Sequence, residues 1–253
     1  MEYGPETYGE RIADVYDEWH AARPGLDAAG TDRAVAALAA LAAEGGGGRV
    51  LELGVGTGRL ALPLAATGLD VSGIDASPAM VERLSAKPGG DRVAVTIGDF
   101  ADVGVDGPFS LVFVAFNTFF ALASQDDQVR CVANVAARLD DGGLFVVEGF
   151  VPDLARYRTT GRSVGVVSVD LDRVVLDVSV HDPVAQTVEA SHVVLTEAGT
   201  RLQPVRLRYA WPAELDLMAR LAGLRRRDRW AGWGREPFTA AAGSAVSVYE
   251  RAA

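Results

Sequence analysis

The chain predicts an α/β fold built on a doubly wound, mainly parallel sheet, with an antiparallel β insert after the fifth strand. Three observations carry this expectation. From Arg49 onward, short and continuously apolar segments alternate with helical ones, the pattern of strands buried on both faces. The first of these segments runs into a glycine turn, Gly54-Val55-Gly56-Thr57-Gly58, that opens a helix. Beyond Pro152 the pattern changes to period-two alternation, which reads as an antiparallel meander. A chain of 253 residues suits one large domain or one domain with a cap.

The elements follow in order. Ile12, Val15, Tyr16 and Trp19 recur at helical spacing, so a helix is expected from Tyr8 to about Ala22, stopped by Arg23-Pro24-Gly25. A second helix, Asp32 to Ala43, runs into four glycines, Gly45 to Gly48. Strands are expected at Arg49–Leu53, Asp70–Ile74, Val93–Ile97, Leu111–Phe116 and Leu144–Glu148. Helices lie between them at Arg59–Ala66, from Ser77-Pro78, and at Asp126–Leu139. Ser77 is placed to cap its helix, with Pro78 at the first helical position, where a missing N–H costs nothing. In the insert, strands are expected at Val164–Asp170, Arg173–Asp182, Thr187–Glu197 and Thr200–Tyr209. One face there carries Val174, Leu176, Val178 and Val180, and the other Val175, Asp177, Ser179 and His181, so one face should be covered. A helix at Pro212–Leu221 and strands at Leu224–Trp230 and Ala245–Arg251 resume the α/β rhythm. The expected division is an N-terminal helical lid (1–48), a core (49–152), the β insert (153–210) and a C-terminal part of the core sheet (211–253).

Composition removes several functions. The net charge is −10, which argues against nucleic acid as a partner, and the run Arg225-Arg226-Arg227 with Arg229 reads as a solvated face. Lys87 is the only lysine; Pro88 follows it and Arg83 precedes it by four, so neither a Gly-Lys-Ser/Thr phosphate loop nor a Tyr-x-x-x-Lys dyad exists, and its Pro/Gly loop is a poor setting for a Schiff base. Cys131 is the only cysteine, expected to be a buried structural thiol. No apolar run reaches the ~20 residues of a membrane span, and the start lacks a basic leader, so a cytoplasmic protein is expected. No His, Asp or Glu cluster has metal-ligand spacing, so no metal is expected.

The glycine turn carries the chemistry. Its spacing is G-x-G-x-G, and Glu52 stands two positions before it, where a carboxylate would repel the pyrophosphate of a nicotinamide cofactor. It suits a ligand that brings a positive charge together with hydroxyls or amines. The segment Val50–Arg59 resembles the first motif of the class I S-adenosylmethionine-dependent methyltransferases. Asp75, ending the second strand, and Gly98-Asp99-Phe100, after the third, match that family's next two markers, and the resemblance covers about residues 49–150. It implies a Rossmann-like seven-stranded core with S-adenosyl-L-methionine as cofactor. It further implies that Gly54, Gly56 and Gly58 cradle the methionine part, that Asp75 binds ribose, and that Ala76, Met80, Asp99 and Phe100 surround the adenine. Phe116 and Asn117 would face the transfer point, and Tyr8 and Arg11 are candidates for the cofactor carboxylate.

Outside the core the layout resembles bacterial small-molecule methyltransferases of secondary metabolism, including aminosugar N-methyltransferases. It departs from the latter at Ala121, where they tend to place a polar residue. The implied function is methyl transfer to N or O of a small-molecule acceptor; the alternative is an inactive cofactor-binding scaffold or regulatory protein of the same fold. His20 and Tyr16 are the catalytic candidates, and Trp19, Asn117, Phe119, Phe120 and Tyr157 the candidate acceptor contacts. His192 shares a strand face with Val188, Ala190 and Val194 and is expected to be buried, whereas His181, beside Asp177 and Ser179, is expected to be solvated. The insert is expected to cover the acceptor side or to make a homodimer contact.

Overall fold

The computed structural model describes residues 3–21, 26–157 and 160–252. The N-terminal stretch forms two short helices, α1 (Thr7–Ile12) and α2 (Tyr16–Ala21), where the periodicity predicts one. A turn at residues 13–15 separates them, and the expected stop at Arg23-Pro24-Gly25 lies outside the described residues. Helix α3 (Ala28–Glu44) begins four residues before its expected start because Asp27 caps it, accepting from the Gly30 N–H at 2.9 Å.

The core then alternates as expected: β1 (Val50–Leu53), α4 (Ala61–Ala66), β2 (Val71–Asp75), α5 (Pro78–Ser85), β3 (Ala94–Ile97), β4 (Phe109–Val114), α6 (Gln125–Arg138) and β5 (Leu139–Phe150). The insert follows as β6 (Arg162–Val169), β7 (Arg173–Asp182), β8 (Thr187–Thr196) and β9 (Gly199–Arg208), and the chain closes with α7 (Pro212–Leu221), β10 (Leu224–Trp230) and β11 (Ser244–Arg251). The main sheet has seven strands in the order β10-β11-β5-β4-β1-β2-β3. β1 pairs in parallel with β2 on one side and β4 on the other, so the strand order reverses beside β1. A crevice opens at such a point outside the carboxyl ends of the strands. Two apolar layers cover the sheet, one built on Phe109, Phe145, Val132 and Tyr249, the other on Leu38, Leu41, Leu64 and Phe113.

The four insert strands form their own antiparallel sheet, in the order β6-β7-β8-β9. The covered face is the polar one. Val175, Ser179 and Gln203 are buried, while Val164, Val166, Val180 and Leu202 on the apolar face are exposed. His181 is accordingly half-buried: its Nε2 lies 2.9 Å from the Tyr209 hydroxyl and its ring stacks on Tyr157. On this inner face the Ser179 hydroxyl meets the Tyr157 hydroxyl at 3.2 Å and Asp177 pairs with Arg156, whereas Gln203 Oε1 is buried without a hydrogen-bond partner.

One buried network fastens this junction. The Arg208 guanidinium donates to Glu214 at 2.7 Å and to Gln128 Oε1 at 2.6 Å, and Gln128 Nε2 donates back to the Arg208 carbonyl at 2.7 Å. Burial pushes the Glu214 carboxyl upward, and hydrogen bonds from Gln186, Arg208 and Gln125 outweigh it, leaving it below the ordinary range. The Arg225–Arg229 run is likewise internally paired, with Glu250, Asp216, Glu44 and Asp228. Arg208→Met should lower stability by about 3–5 kcal/mol, the cost of breaking a buried ion pair from one side. Urea denaturation followed by circular dichroism checks this; a loss under 1 kcal/mol would refute it.

Candidate active site

A cavity of about 370 Å³ occupies the crevice. On one side it is lined by Gly54, Gly56, Asp75, Ala76, Met80, Asp99 and Phe100. The glycine turn takes its shape from Asp75, whose Oδ2 accepts from the Gly56 N–H at 2.7 Å and whose Oδ1 accepts from the Ser77 N–H at 2.9 Å. Burial raises the Asp75 carboxyl, and these two donors oppose the rise. Gly56 has φ +55 and nothing stands within 4 Å of where its Cβ would be, so its backbone borders open space that a side chain would fill. Asp99 Oδ1 accepts from the Ala101 N–H at 2.9 Å. Gly58 lies off the cavity wall; a Cβ there would stand 2.9 Å from Leu62 and Leu84, so it serves close packing.

Glu52 also stands behind the wall. It is buried, and its Oε2 has no hydrogen-bond partner. Burial pushes its carboxyl up to about 8, although the Arg59 charge and a bond from the Ala61 N–H pull the other way. An orphaned acid beneath a glycine cradle, with Asp75 at the next strand end, fits a ligand that carries a cation at one end and ribose hydroxyls at the other.

The opposite side of the cavity is lined by Tyr8 and Tyr16 from the N-terminal helices, Phe116, Asn117, Thr118 and Ala121 beyond β4, and His192, Val205 and Leu207 from the insert. Phe116 and Asn117 do not end a strand: both have positive φ, 51 and 65, in a turn that follows β4. Burial pushes the Tyr16 phenol up to about 12, so at neutral pH it is a hydroxyl.

Several expected contacts stand elsewhere. Arg11 is exposed and lines a separate surface groove with Arg83 and Arg201. Trp19 is buried behind the wall, with its ring edge-on to His192 at 4.4 Å. Phe119 and Phe120 are fully buried core residues, and Phe120 packs on Phe150. Tyr157 stacks on His181 and meets the Ser179 hydroxyl at 3.2 Å, away from the cavity. His20 lies on α2, and its side chain falls outside the described residues.

Other groups at the site carry no local signal. His192 Nδ1 lies 3.9 Å from Asp177 Oδ1, a pair formed across β7 and β8 that helical or same-strand spacing cannot show. Lys87 reaches the Thr57 carbonyl and Asp17, both at 2.8 Å, and so ties α2 to the glycine turn. Gly9 lets α1 pack on Ser77, whose hydroxyl donates to Glu10 at 2.7 Å. A glycine at mid-helix was the one available hint. Among the described residues, no group of His, Cys, Asp and Glu could hold a metal ion, and no helix is long and apolar enough to cross a membrane.

This architecture, with a glycine turn after β1 and acids ending β2 and following β3, is that of a nucleoside-type cofactor site on a doubly wound sheet. Residues 50–143 match a family model described as a methyltransferase domain. The cypemycin N-terminal methyltransferase of a Streptomyces species is 31% identical over 209 residues, covering 81% of this chain and 84% of that protein. The solved structure of the CcbJ methyltransferase from Streptomyces caelestis is 44% identical and superimposes with a TM-score of 0.90 over 99% of this chain and all of that one. An amino pentose methyltransferase from Micromonospora echinaspora, solved with its methyl donor bound, shares the fold with a TM-score of 0.60 at 23% identity, over 97% and 92% of the two chains. The chain belongs to the class I S-adenosylmethionine-dependent methyltransferases, and S-adenosylmethionine is its cofactor.

Two predictions follow from this geometry. Asp75→Ala should weaken cofactor binding by about 1–3 kcal/mol, the worth of hydrogen bonds to a charged group; calorimetry showing unchanged affinity would refute it. With its carboxyl pushed up to about 8, Glu52 should hold its proton in the free protein at pH 7, and a bound cation should ionise it. Binding should therefore release close to one proton near pH 7 and tighten from pH 6 to 8, as read by calorimetry in buffers of different ionisation enthalpy. Glu52→Gln should abolish the release. Without ligand the sign reverses: the folded state holds a proton the unfolded chain has lost, so this stabilisation is complete below the ordinary value of 4.5 and is lost as pH rises through about 8.

Proposed function

We propose that this enzyme methylates an amine nitrogen on a small, largely apolar molecule of secondary metabolism. The observation that carries the reading is the charge of the cavity. Its charged lining residues, among those described, are Asp75, Asp99 and Asp127, with no lysine or arginine. Such a wall disfavours an anionic acceptor and attracts a protonated amine. The relative named as a cypemycin N-terminal methyltransferase supports an amine, and Ala121, which offers no polar group to a sugar, supports an apolar framework.

The cofactor supplies a methyl carbon already activated by a sulfonium. Tyr8, Tyr16 and Phe116 border the acceptor, exclude water and hold the nitrogen in line. The ammonium loses its proton before attack. Tyr16 cannot take it, since its phenol already holds its own proton up to about pH 12. The proton passes to water or to His192 beside Asp177. General base assistance is worth ~10²–10⁴-fold, whereas positioning contributes ~7–11 kcal/mol, so alignment supplies most of the rate.

The test of function is transfer of labelled methyl to a panel: a peptide with a free N-terminal amine, a prolyl amide, an aminosugar and a phenol. Labelling of the phenol alone would overturn the amine reading. On the acceptor found, Phe116→Ala and Tyr16→Ala should lower kcat/KM at least as much as His20→Ala across pH 6 to 9. A steep rise near pH 6.5 that His20→Ala alone abolishes would make the histidine a base.

The exposed apolar face of the insert, with Val164, Val166 and Leu202, supports a homodimer as part of the same reading. Light scattering showing a monomer at all concentrations would remove it.

A further inference from the structure

We propose that Glu148, at the end of β5, is a positioning residue that holds Phe116 at the transfer point through its carboxylate. The inference rests on the methyltransferase reading of the cavity and adds a residue outside its wall. Phe116 and Asn117 occupy the left-handed region, which is costly for a bulky side chain and persists only where neighbours over-determine it. The end of β5 supplies that determination. Glu148 Oε2 accepts from the Phe116 N–H at 2.7 Å, the Glu148 carbonyl accepts from the Asn117 N–H at 3.2 Å, and the Phe150 N–H donates to Asn117 Oδ1 at 2.7 Å.

The second carboxylate oxygen is held as well. Glu148 Oε1 accepts from Trp233 Nε1–H at 2.8 Å. Trp233 lies in the connection between β10 and β11, so the C-terminal hairpin reaches the transfer point through one carboxylate. Only an acceptor at both oxygens satisfies both donors. An acid that served burial alone would need no such pair, and the desolvation of this one is a cost that the turn geometry must justify.

Substitutions separate positioning from bulk stability. Glu148→Gln keeps the shape but turns an NH2 toward one of the two N–H donors. Adding Trp233→Phe removes the indole donor, so the glutamine oxygen can again accept from Phe116. Three readouts are compared in the full-length protein: hydrogen exchange of the peptide carrying Phe116 and Asn117, calorimetric affinity for S-adenosylhomocysteine, and kcat and KM on the amine that the panel identifies.

Glu148→Gln should exchange about tenfold faster at the turn, keep its S-adenosylhomocysteine affinity within about twofold, and lose kcat by ~30–100-fold. The double variant should recover most of both losses. Unchanged exchange and kcat in Glu148→Gln and Glu148→Ala would overturn the proposal. So would a double variant no better than the single one. Loss of S-adenosylhomocysteine affinity in step with kcat would also overturn it, by making the acid a support of the whole pocket. Exchange and product affinity need no acceptor, so an error in the amine reading would leave them intact and show only in the panel.

Discussion

The hydrogen bond from the Gly56 N–H to Asp75 is the constraint on which the site depends. It joins the end of one parallel strand to the loop after its neighbour, and so fixes how far the glycine turn stands from the second strand. The opposite carboxylate oxygen holds Ser77, which caps α5, and Ser77 in turn meets Glu10 of α1. A single acid thus sets the loop, a helix start and the docking of an N-terminal helix. Its oxygens keep lone pairs directed at the cavity, so the group that builds the site can also bind in it.

The N-terminal helices dock beside that site through a few contacts. Lys87 ties Asp17 of α2 to the glycine turn, and Arg201 of β9 donates to Asp14 and to the Arg11 carbonyl. The two N-terminal helices are therefore held on one side by the core and on the other by the insert. These pairs are largely exposed, and each contributes little to stability by itself. These exposed fastenings contrast with the buried Arg208 network, which locks the insert to the core.

What could be read from the sequence was whatever is local along the chain. Strand, glycine turn and helix follow one another between Val50 and Ala66, and Asp75 and Asp99 stand at strand ends that apolar runs announce. The C-terminal helix and strands also fall within a residue of expectation. What could not be read depends on partners distant in sequence. The insert buries Ser179 and Gln203 and exposes Val164 and Val166: which face meets the rest of the chain is set by packing distant in sequence, and hydrophobic alternation ranks the faces the other way. Phe119 and Phe120 look like mouth residues because they follow Phe116, yet the positive-φ turn redirects the chain and sends both into the core. The pairs His192–Asp177 and Glu148–Trp233 join different strands or loops, and no spacing rule reaches them.

These distant pairs bear on how one cavity would handle two cations, the sulfonium of the donor and, on the proposed amine reading, the ammonium of the acceptor. Like charges must be brought close, and the wall meets that cost with carboxylates placed at different depths. Asp75 and Asp99 stand on the wall, where they are available to neutral polar groups as well. Glu52 and Glu148 lie behind it, and burial raises both. Glu52, pushed up to about 8, is the acid that responds to an arriving cation by ionising, whereas Glu148 keeps both oxygens as acceptors for Phe116 and Trp233. Arg59, whose charge lowers both Glu52 and Glu148 and whose guanidinium carbon lies 5.9 Å from the centre of the Phe116 ring, links the two depths. The electrostatics of the donor end and the geometry of the transfer point thus meet at one arginine on the far side of the glycine turn.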